Sequence, residues 1–520
     1  MKFDQPYAAP RSPVCAQNIV ATSQPLATQA GIQALKRGGN AVDAALAAAI
    51  TLTVVEPCMN GVGSDAFTII WDGKALHGLN GSGKSPKGWT PERFAGQEQM
   101  PGLGWDSVTV PGAVSVWAEV SDKFGSLAFE SLFEEAIQYA RDGFHVGPVS
   151  SQIWQLAPQM YPGFTDFAEH FFPAPQPGQL FRRPDLATTL EEIAATRGES
   201  FYRGALAQKI VSASDAAAGV MNLDDLAAHA PFWVDPVGQA YQDATLHEIP
   251  PNGQGLAAQI ALGILNHLEV PKLDSPDSIH LQIEAMKVAI RAAFDHFADP
   301  DYMQTPVADL LDTEKLKAVA NQITDRASPV PPQALPVSND TVYLCTADAS
   351  GMMVSFIQSN YMAFGSGVVV PGTGIALQNR GSGFTLEPGH PNQVGPEKRP
   401  FHTIIPGFVT KNGQADMAFG VMGGHMQAQG HVQMVTRIYD HQQNPQTASD
   451  APRWIVHPDF TIGLEAGTPK RVLEDLAARG HQVSIDPVHT TFGGAQLIKR
   501  HEGGYIAGSD HRKEGCAAGF

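Results

Sequence analysis

A chain of 520 residues with 43% hydrophobic and 17% charged side chains has the composition of a globular protein and the length for two or three domains or one large layered fold. Its 52 Asp and Glu against 34 Lys and Arg leave a net charge of -18, which opposes nucleic-acid binding and adhesion to an anionic membrane.

The first residues, "MKFDQPYAAPRSPVCAQ", contain no basic stretch followed by an apolar one, so no secretion signal and a cytoplasmic location are expected. Cys15, Cys58, Cys345 and Cys516 form neither a CxxC pair nor a disulfide framework, which fits a reduced compartment. The segment "LATQAGIQALKRGGNAVDAALAAAITLTVVEP" predicts two helices broken at Gly38-Gly39-Asn40. Its apolar run between Asp43 and Glu56 is too short to cross a bilayer and suits a buried helix. A glycine turn, "MNGVGSDAF", leads into a strand, "FTIIWDG". Three- and four-residue apolar spacing then predicts helices in "GAVSVWAEVSDKF", "SLFEEAIQYARDGF", "LATTLEEIAATRG" and "SIHLQIEAMKVAIRAAFDHF". The first half thus reads as mostly helical.

Pro329, Pro331, Pro332 and Pro336 form a break. After Thr341 the pattern changes to strands: "TVYLCTA", "MMVSFIQS", "GVVVPG" and "FHTIIPGFV". One more helix, within "GGHMQAQGHVQMVTRIYDH", precedes a strand-rich tail. Helices flanking central strands imply stacked layers.

A tether placed directly before a threonine invites a chemical reading. A Thr hydroxyl needs a nearby base to act as a nucleophile. Cutting the bond before Thr341 would free an α-amine with a pKa of roughly 7.7–8.0, suited to that role. The turn "DASG" folds the next two strands together, and symmetry about Ala349-Ser350 pairs Thr341 with Gln358. Ser359 then lies about one residue away, as a second hydroxyl that orients the Thr341 oxygen or carries its proton. The same residues also fit a plain linker before an ordinary hairpin, and by themselves they leave both readings open.

Ten further segments occur in a fixed order: "GGNAVDAALAAAITLTVVEP", "GVGSDAF", "VPGAVSVWAEVSDKFG", "PPNGQG", "ADPDY", "TVYLCTADASGMMVSFIQSNYMAFGSGVVVPGTGI", "VGPEKRPFHTIIPGF", "MGGHMQAQ", "DAPRW" and "GSDHRKEGCAAGF". In that register, over almost the whole chain, the sequence resembles the γ-glutamyltranspeptidase family of N-terminal-nucleophile hydrolases. The resemblance implies an α+β fold, a four-layer αββα sandwich. It implies a precursor in which the Thr341 hydroxyl attacks the Asp340 carbonyl. The chain would then divide into a large fragment, 1–340, and a small one, 341–520, which stay together as a heterodimer, a dimer of such pairs being left open. Thr341 would next attack a substrate amide to form an acyl-enzyme. Gly423 and Gly424 match the family's oxyanion-hole glycines, whose N–H groups can approach closely for want of a side chain.

The substrate pocket departs from the family pattern. The family's carboxylate-binding Arg falls on Ser82 of "LNGSGKSP", with Lys84 two residues later. The family's paired serines become His402 and Thr403, its amine-binding acidic pair becomes Ser382 and Gly383, and an Asn becomes Tyr361. Arg380 is the replacement cation, since a guanidinium grips a carboxylate with two parallel bonds; a structural salt bridge is its other reading. Lys84 is a second candidate, or simply a solvated loop lysine. His402 stands where a binding serine would. The segment "TLEPGHPNQ" is shorter than the family's lid, which favours hydrolysis over transfer.

The expected activity is therefore hydrolysis, or transfer, of γ-glutamyl groups from glutathione-like amides. The alternative is an amidohydrolase of small acid amides such as oxamate, or of cephalosporin-type acyl amides. An unprocessed relative that only binds small acids is the third reading, against which Thr341, Ser359, Gly423 and Gly424 speak. No cofactor and no metal are expected: His425 and His431 are six apart and no HExxH occurs. A GxSxG elbow is lacking, and "NGSGKS" lacks the spacing of a phosphate loop.

Overall fold

The computed structural model describes residues 11–329 and 341–520; the expected cleavage residue Asp340 and most of the proline-rich tether lie outside the described residues. Two seven-stranded sheets dominate. The first runs Cys516–Gly519, Ile19–Thr22, Val342–Ala347, Met353–Ser359, Asp65–Trp71, Leu76–Asn80, Phe232–Val234. The second runs Val14–Ala16, Gly504–Ser509, Ala495–His501, Gln414–Val421, Gly407–Lys411, Ala244–Glu248, Val237–Tyr241. Every neighbouring pair in both sheets is antiparallel.

The layering follows from side-chain alternation along buried strands. In the strand Val342–Ala347, Val342 and Leu344 join an outer core with helix Ala41–Val55 and Trp117. Tyr343, Cys345 and Ala347 face the other way, into a core shared with Phe408, Ala418, Ile498 and Ala507 of the second sheet. The far face of the second sheet, through Leu246, Val409, Met417 and Phe419, packs on the helices Gly255–Leu265, Pro276–His296 and Met426–Val435. Helix, sheet, sheet, helix: this is the expected αββα sandwich.

The local predictions hold where periodicity was strong. Helices Pro25–Lys36 and Ala41–Val55 break at the expected glycines, with Gly38 at φ +91°. Asn40 then caps the second helix, its side chain accepting from the Val42 and Asp43 amides while Asp43 accepts from the Asn40 amide. All fifteen residues of Ala41–Val55 are buried, including Asp43, Thr51 and Thr53, as a helix apolar around most of its circumference requires.

Helices dominate the regular structure of the first half, as expected, and it also supplies Ile19–Thr22, Leu76–Asn80, Phe232–Val234, Val237–Tyr241 and Ala244–Glu248, short strands with little pattern of their own. Two expectations need correction. "FHTIIPGFV" is strand only from Gly407: His402 forms an isolated bridge with Gly253, and Ile404 and Ile405 point into different cores. The tail carries two unforeseen helices, Pro445–Asp450 and Lys470–Ala478. Both sheets draw strands from either side of residue 340, so the segments 1–340 and 341–520 share one interleaved core. Among the described residues, no helix is long and apolar enough to cross a membrane.

Candidate active site

Strand register assembles the centre of the site. Met353–Ser359 pairs with Val342–Ala347 so that Val342 faces Gln358, which places Thr341 opposite Ser359. The symmetric reading missed by one residue because the loop Asp348–Met352 is centred on Ser350, with Gly351 at φ +95°. On the other side, Ser359 pairs with Asp65. Thr341, Ser359 and Asp65 therefore form a row across three adjacent strands, on the face that carries Tyr343, Ile357 and Phe67 into the inter-sheet core.

Thr341 is 1% exposed and its hydroxyl donates to Ser359 Oγ at 3.2 Å. Ser359 Oγ in turn accepts the Tyr361 amide at 2.8 Å. Gln427 Nε2 donates to Thr341 Oγ1 at 3.3 Å, while Gln427 Oε1 accepts the Ile405 amide at 3.0 Å. Gln427 was legible only as part of "MGGHMQAQ"; the turn of helix that carries it to Thr341 was not.

Gly423 and Gly424 precede the helix Met426–Val435 and both have positive φ, +118° and +57°. A Cβ on Gly423 would come within 3.1 Å of Gly493 Cα at a φ that L side chains rarely adopt, so a side chain there is strained. Gln254, from "PPNGQG", holds the turn: its Nε2 donates to the carbonyls of Gly424 (2.8 Å) and Thr403 (2.6 Å). The same loop aligns the next candidates through His402 N to Asn252 O and Gln254 N to His402 O, both 2.9 Å.

Arg380 opens a short 3-10 turn and is fully buried. Its Nη1 donates to Thr403 Oγ1 at 2.8 Å, and its guanidinium carbon lies 4.2 Å from the Tyr361 ring centroid, a cation–π contact. Its Nε and Nη2 have no hydrogen-bond partner among the described residues, and it makes no direct ion pair there, Asp65 acting on it at longer range. Tyr361 sits at φ +80°, a left-handed conformation that a bulky residue adopts only under constraint. Burial pulls the Arg380 pKa down to about 10, so the group remains charged at neutral pH.

His402 Nε2 lies 3.0 Å from Asp65 Oδ2, with both side chains fully buried. Its Nδ1 faces the Ile404 amide at 3.4 Å, so the ring proton sits on Nε2 and is donated to Asp65. Burial, and then the Arg380 charge, push the His402 pKa well below its ordinary value, so the imidazole is neutral. Burial raises the Asp65 carboxyl to about 7, against the opposing pull of Arg380, the Gly112 and Gly83 amides and Arg399. Asp65 escaped the sequence reading although it stands inside "GVGSDAF".

An open cavity of about 530 Å³ adjoins this cluster. Tyr361, Ser382, Phe401 and His425 line it on the inner side and Glu98 and Glu387 toward the mouth. Ser382 Oγ donates to Asn379 O at 2.8 Å. Lys84 is not brought to the site; it lines a separate cleft with Lys87, Asp225, Glu397 and Arg399.

His431 Nδ1 bonds Glu248 Oε1 at 2.6 Å, away from His425. His280, Glu284 and His481 cluster closely enough for a metal, but the Lys287 ammonium lies 2.8 Å from Glu284 Oε1 and 3.3 Å from His481 Nδ1. A resident cation of this kind opposes a second one.

The sequence profile of the gamma-glutamyltranspeptidase family matches residues 27–520. A glutathione hydrolase-like proenzyme of Bacillus subtilis is 35% identical over 98% of this chain and 100% of its own length. An oxamate amidohydrolase proenzyme of Klebsiella pneumoniae is 36% identical over 95% of this chain and 97% of its own. The crystal structure of a cephalosporin acylase from Bacillus halodurans superposes with a TM-score of 0.96 at 44% identity, over 100% of this chain and 99% of that one.

Proposed function

The chain belongs to the gamma-glutamyltranspeptidase family and is a hydrolase of the N-terminal-nucleophile type; we propose that it is a self-cleaving amidase whose nucleophile is the Thr341 hydroxyl. The carrying observation is the buried Thr341–Ser359–Gln427 cluster at the start of a central strand. Cleavage after Asp340 frees the Thr341 amine as the general base. Ser359 takes up or relays the hydroxyl proton, and the amides of Gly423 and Gly424 stabilise the oxyanion of the tetrahedral intermediate, worth about 2.7–4 kcal/mol in comparable sites. Water then resolves the acyl-Thr341 ester. The fragments 1–340 and 341–520 remain associated because they share both sheets.

The acyl group carries a carboxylate, held by the two unengaged N–H groups of Arg380 with Thr403 beside it. The lead substrates are γ-glutamyl amides of the glutathione type. A cavity of about 530 Å³ suits a substrate of tripeptide size, and Glu98 and Glu387 near its mouth offer acids for an ammonium group. A second reading, hydrolysis of oxamate-like acid amides, is favoured by Ser382 and Gly383 standing where an acidic pair would hold the α-ammonium, and by the oxamate amidohydrolase relative.

Thr341→Ala tests the central step: a denaturing gel should show one full-length band and no amidase activity. Normal cleavage in that variant removes Thr341 from the role. Comparing glutamate release from glutathione with ammonia release from oxamate separates the two substrate classes.

A further inference from the structure

We infer that Asp65, gripped by His402 on the row of the nucleophile, is a positioning residue that couples occupancy of the Arg380 subsite to uptake of a proton. This rests on the reading of Arg380 as the ligand of the substrate carboxylate.

The geometry isolates the two charges together. Asp65 and Arg380 are both fully buried. Asp65 accepts from the Gly112 amide (3.0 Å) and from His402 Nε2 (3.0 Å), so it is a fixed acceptor, not a receptor for a substrate ammonium. The proton on His402 Nε2 is pinned by the Ile404 amide facing Nδ1, which makes His402 a rigid neutral spacer. Arg380 holds Thr403 with one nitrogen and leaves two N–H groups for an incoming anion. The other groups in range of Asp65 are Arg399, whose Nε donates to Ser82 O, the Tyr202 phenol, which donates to Pro111 O and whose pKa burial raises further, and, once the chain is cut, the Thr341 amine on the same row.

A substrate carboxylate on Arg380 would be a second buried anion sharing one nearby cation with Asp65. Like charges in such a site disfavour double ionisation, so one carboxyl protonates. Asp65 is the group already poised near neutrality. The change is a single proton from solvent adding to the Asp65 carboxylate, with no other bond made or broken. The sign follows. In the free enzyme Arg380 helps keep Asp65 ionised; a bound anion offsets that help, so the Asp65 pKa rises on binding. Affinity for anionic ligands therefore falls as pH rises above about 7, and it levels off at lower pH, where Asp65 is already protonated.

The test is calorimetry on the self-cut enzyme, in two buffers of different ionisation enthalpy. The ligands are L-glutamate and oxalate, the acids released from the two candidate substrate classes. The expected result is uptake of roughly half a proton or more at about pH 7.5 and almost none at about pH 5.5. Asp65→Asn should bind both anions without uptake at either pH, with a gel confirming that it still cuts itself. Binding by the wild type at the higher pH without uptake overturns the inference, as does undiminished uptake in Asp65→Asn. If that variant does not process, infrared difference spectra of the wild type with 13C-labelled ligand decide. Anion binding at about pH 7.5 should raise an unlabelled protonated-carboxyl band. Its absence, as when the Thr341 amine takes the proton instead, overturns the inference. Failure of the underlying reading looks different: Arg380→Ala would then bind both anions as tightly as the wild type.

Discussion

Replacing Arg380 by Ala removes the two N–H groups available to a substrate carboxylate. Each charge-assisted hydrogen bond contributes about 1.5–3 kcal/mol, and about 1.4 kcal/mol is tenfold. Loss of both predicts a fall in kcat/KM of roughly 10²- to 10⁴-fold for carboxylate-bearing amides. Full burial of Arg380 strengthens its interactions, while the Thr403 hydroxyl left behind can still donate one bond, so the lower half of that range is expected. The loss should fall mainly on KM, because the acyl carboxylate is held equally in the ground and transition states. Arg380→Lys should recover only part of it, since an ammonium cannot make the parallel pair of bonds. The assay is initial rates of glutamate release from glutathione and ammonia release from oxamate. An amide of matched length without the carboxylate serves as control, and its rate should change little. Equal losses for the charged and neutral substrates would refute the assignment of Arg380 to the carboxylate.

Gly423→Ala places a methyl group within 3.1–3.2 Å of Gly493 Cα and Met426 Cβ, at a φ of +118° that only glycine adopts readily. Displacement of the oxyanion amides predicts a kcat loss of about 10²- to 10³-fold with a smaller change in KM; an unchanged kcat would exclude this turn from the oxyanion site. Asp510→Asn removes the charge that holds a buried network with Arg453 and Arg512 and turns one of its two acceptor oxygens, which between them take the Ala495 amide and both guanidinium groups, into a donor. Unfolding titrations should show a loss of about 3–5 kcal/mol, and a loss under 1 kcal/mol would refute the reasoning. The Arg453 and Arg512 charges overcome burial and hold the Asp510 carboxyl far below its usual range. Its contribution is therefore complete above the unfolded carboxyl pKa of about 3.9 and disappears progressively as pH falls below that value. The stability of the wild type and of Asp510→Asn should converge in strong acid.

Much of this protein was written locally. Apolar spacing marked the helices Pro25–Lys36, Ala41–Val55 and Pro276–His296, and the glycines at 38 and 39 marked a break, because helix periodicity and left-handed turns act over a few residues. The tether, Thr341 and the turn near Ser350 likewise lie within one short stretch, and the motif order disclosed the family. The neighbours of the nucleophile were of another kind. Asp65 and His402 are 337 positions apart, and Gln427 reaches Thr341 across 86. Only the order and register of the strands bring Thr341, Ser359 and Asp65 into one row. By sequence Lys84 was the second candidate cation and Arg380 the first. Packing placed one in a separate cleft and buried the other with two N–H groups unengaged, since where a charge ends up depends on what the remote chain stacks around it.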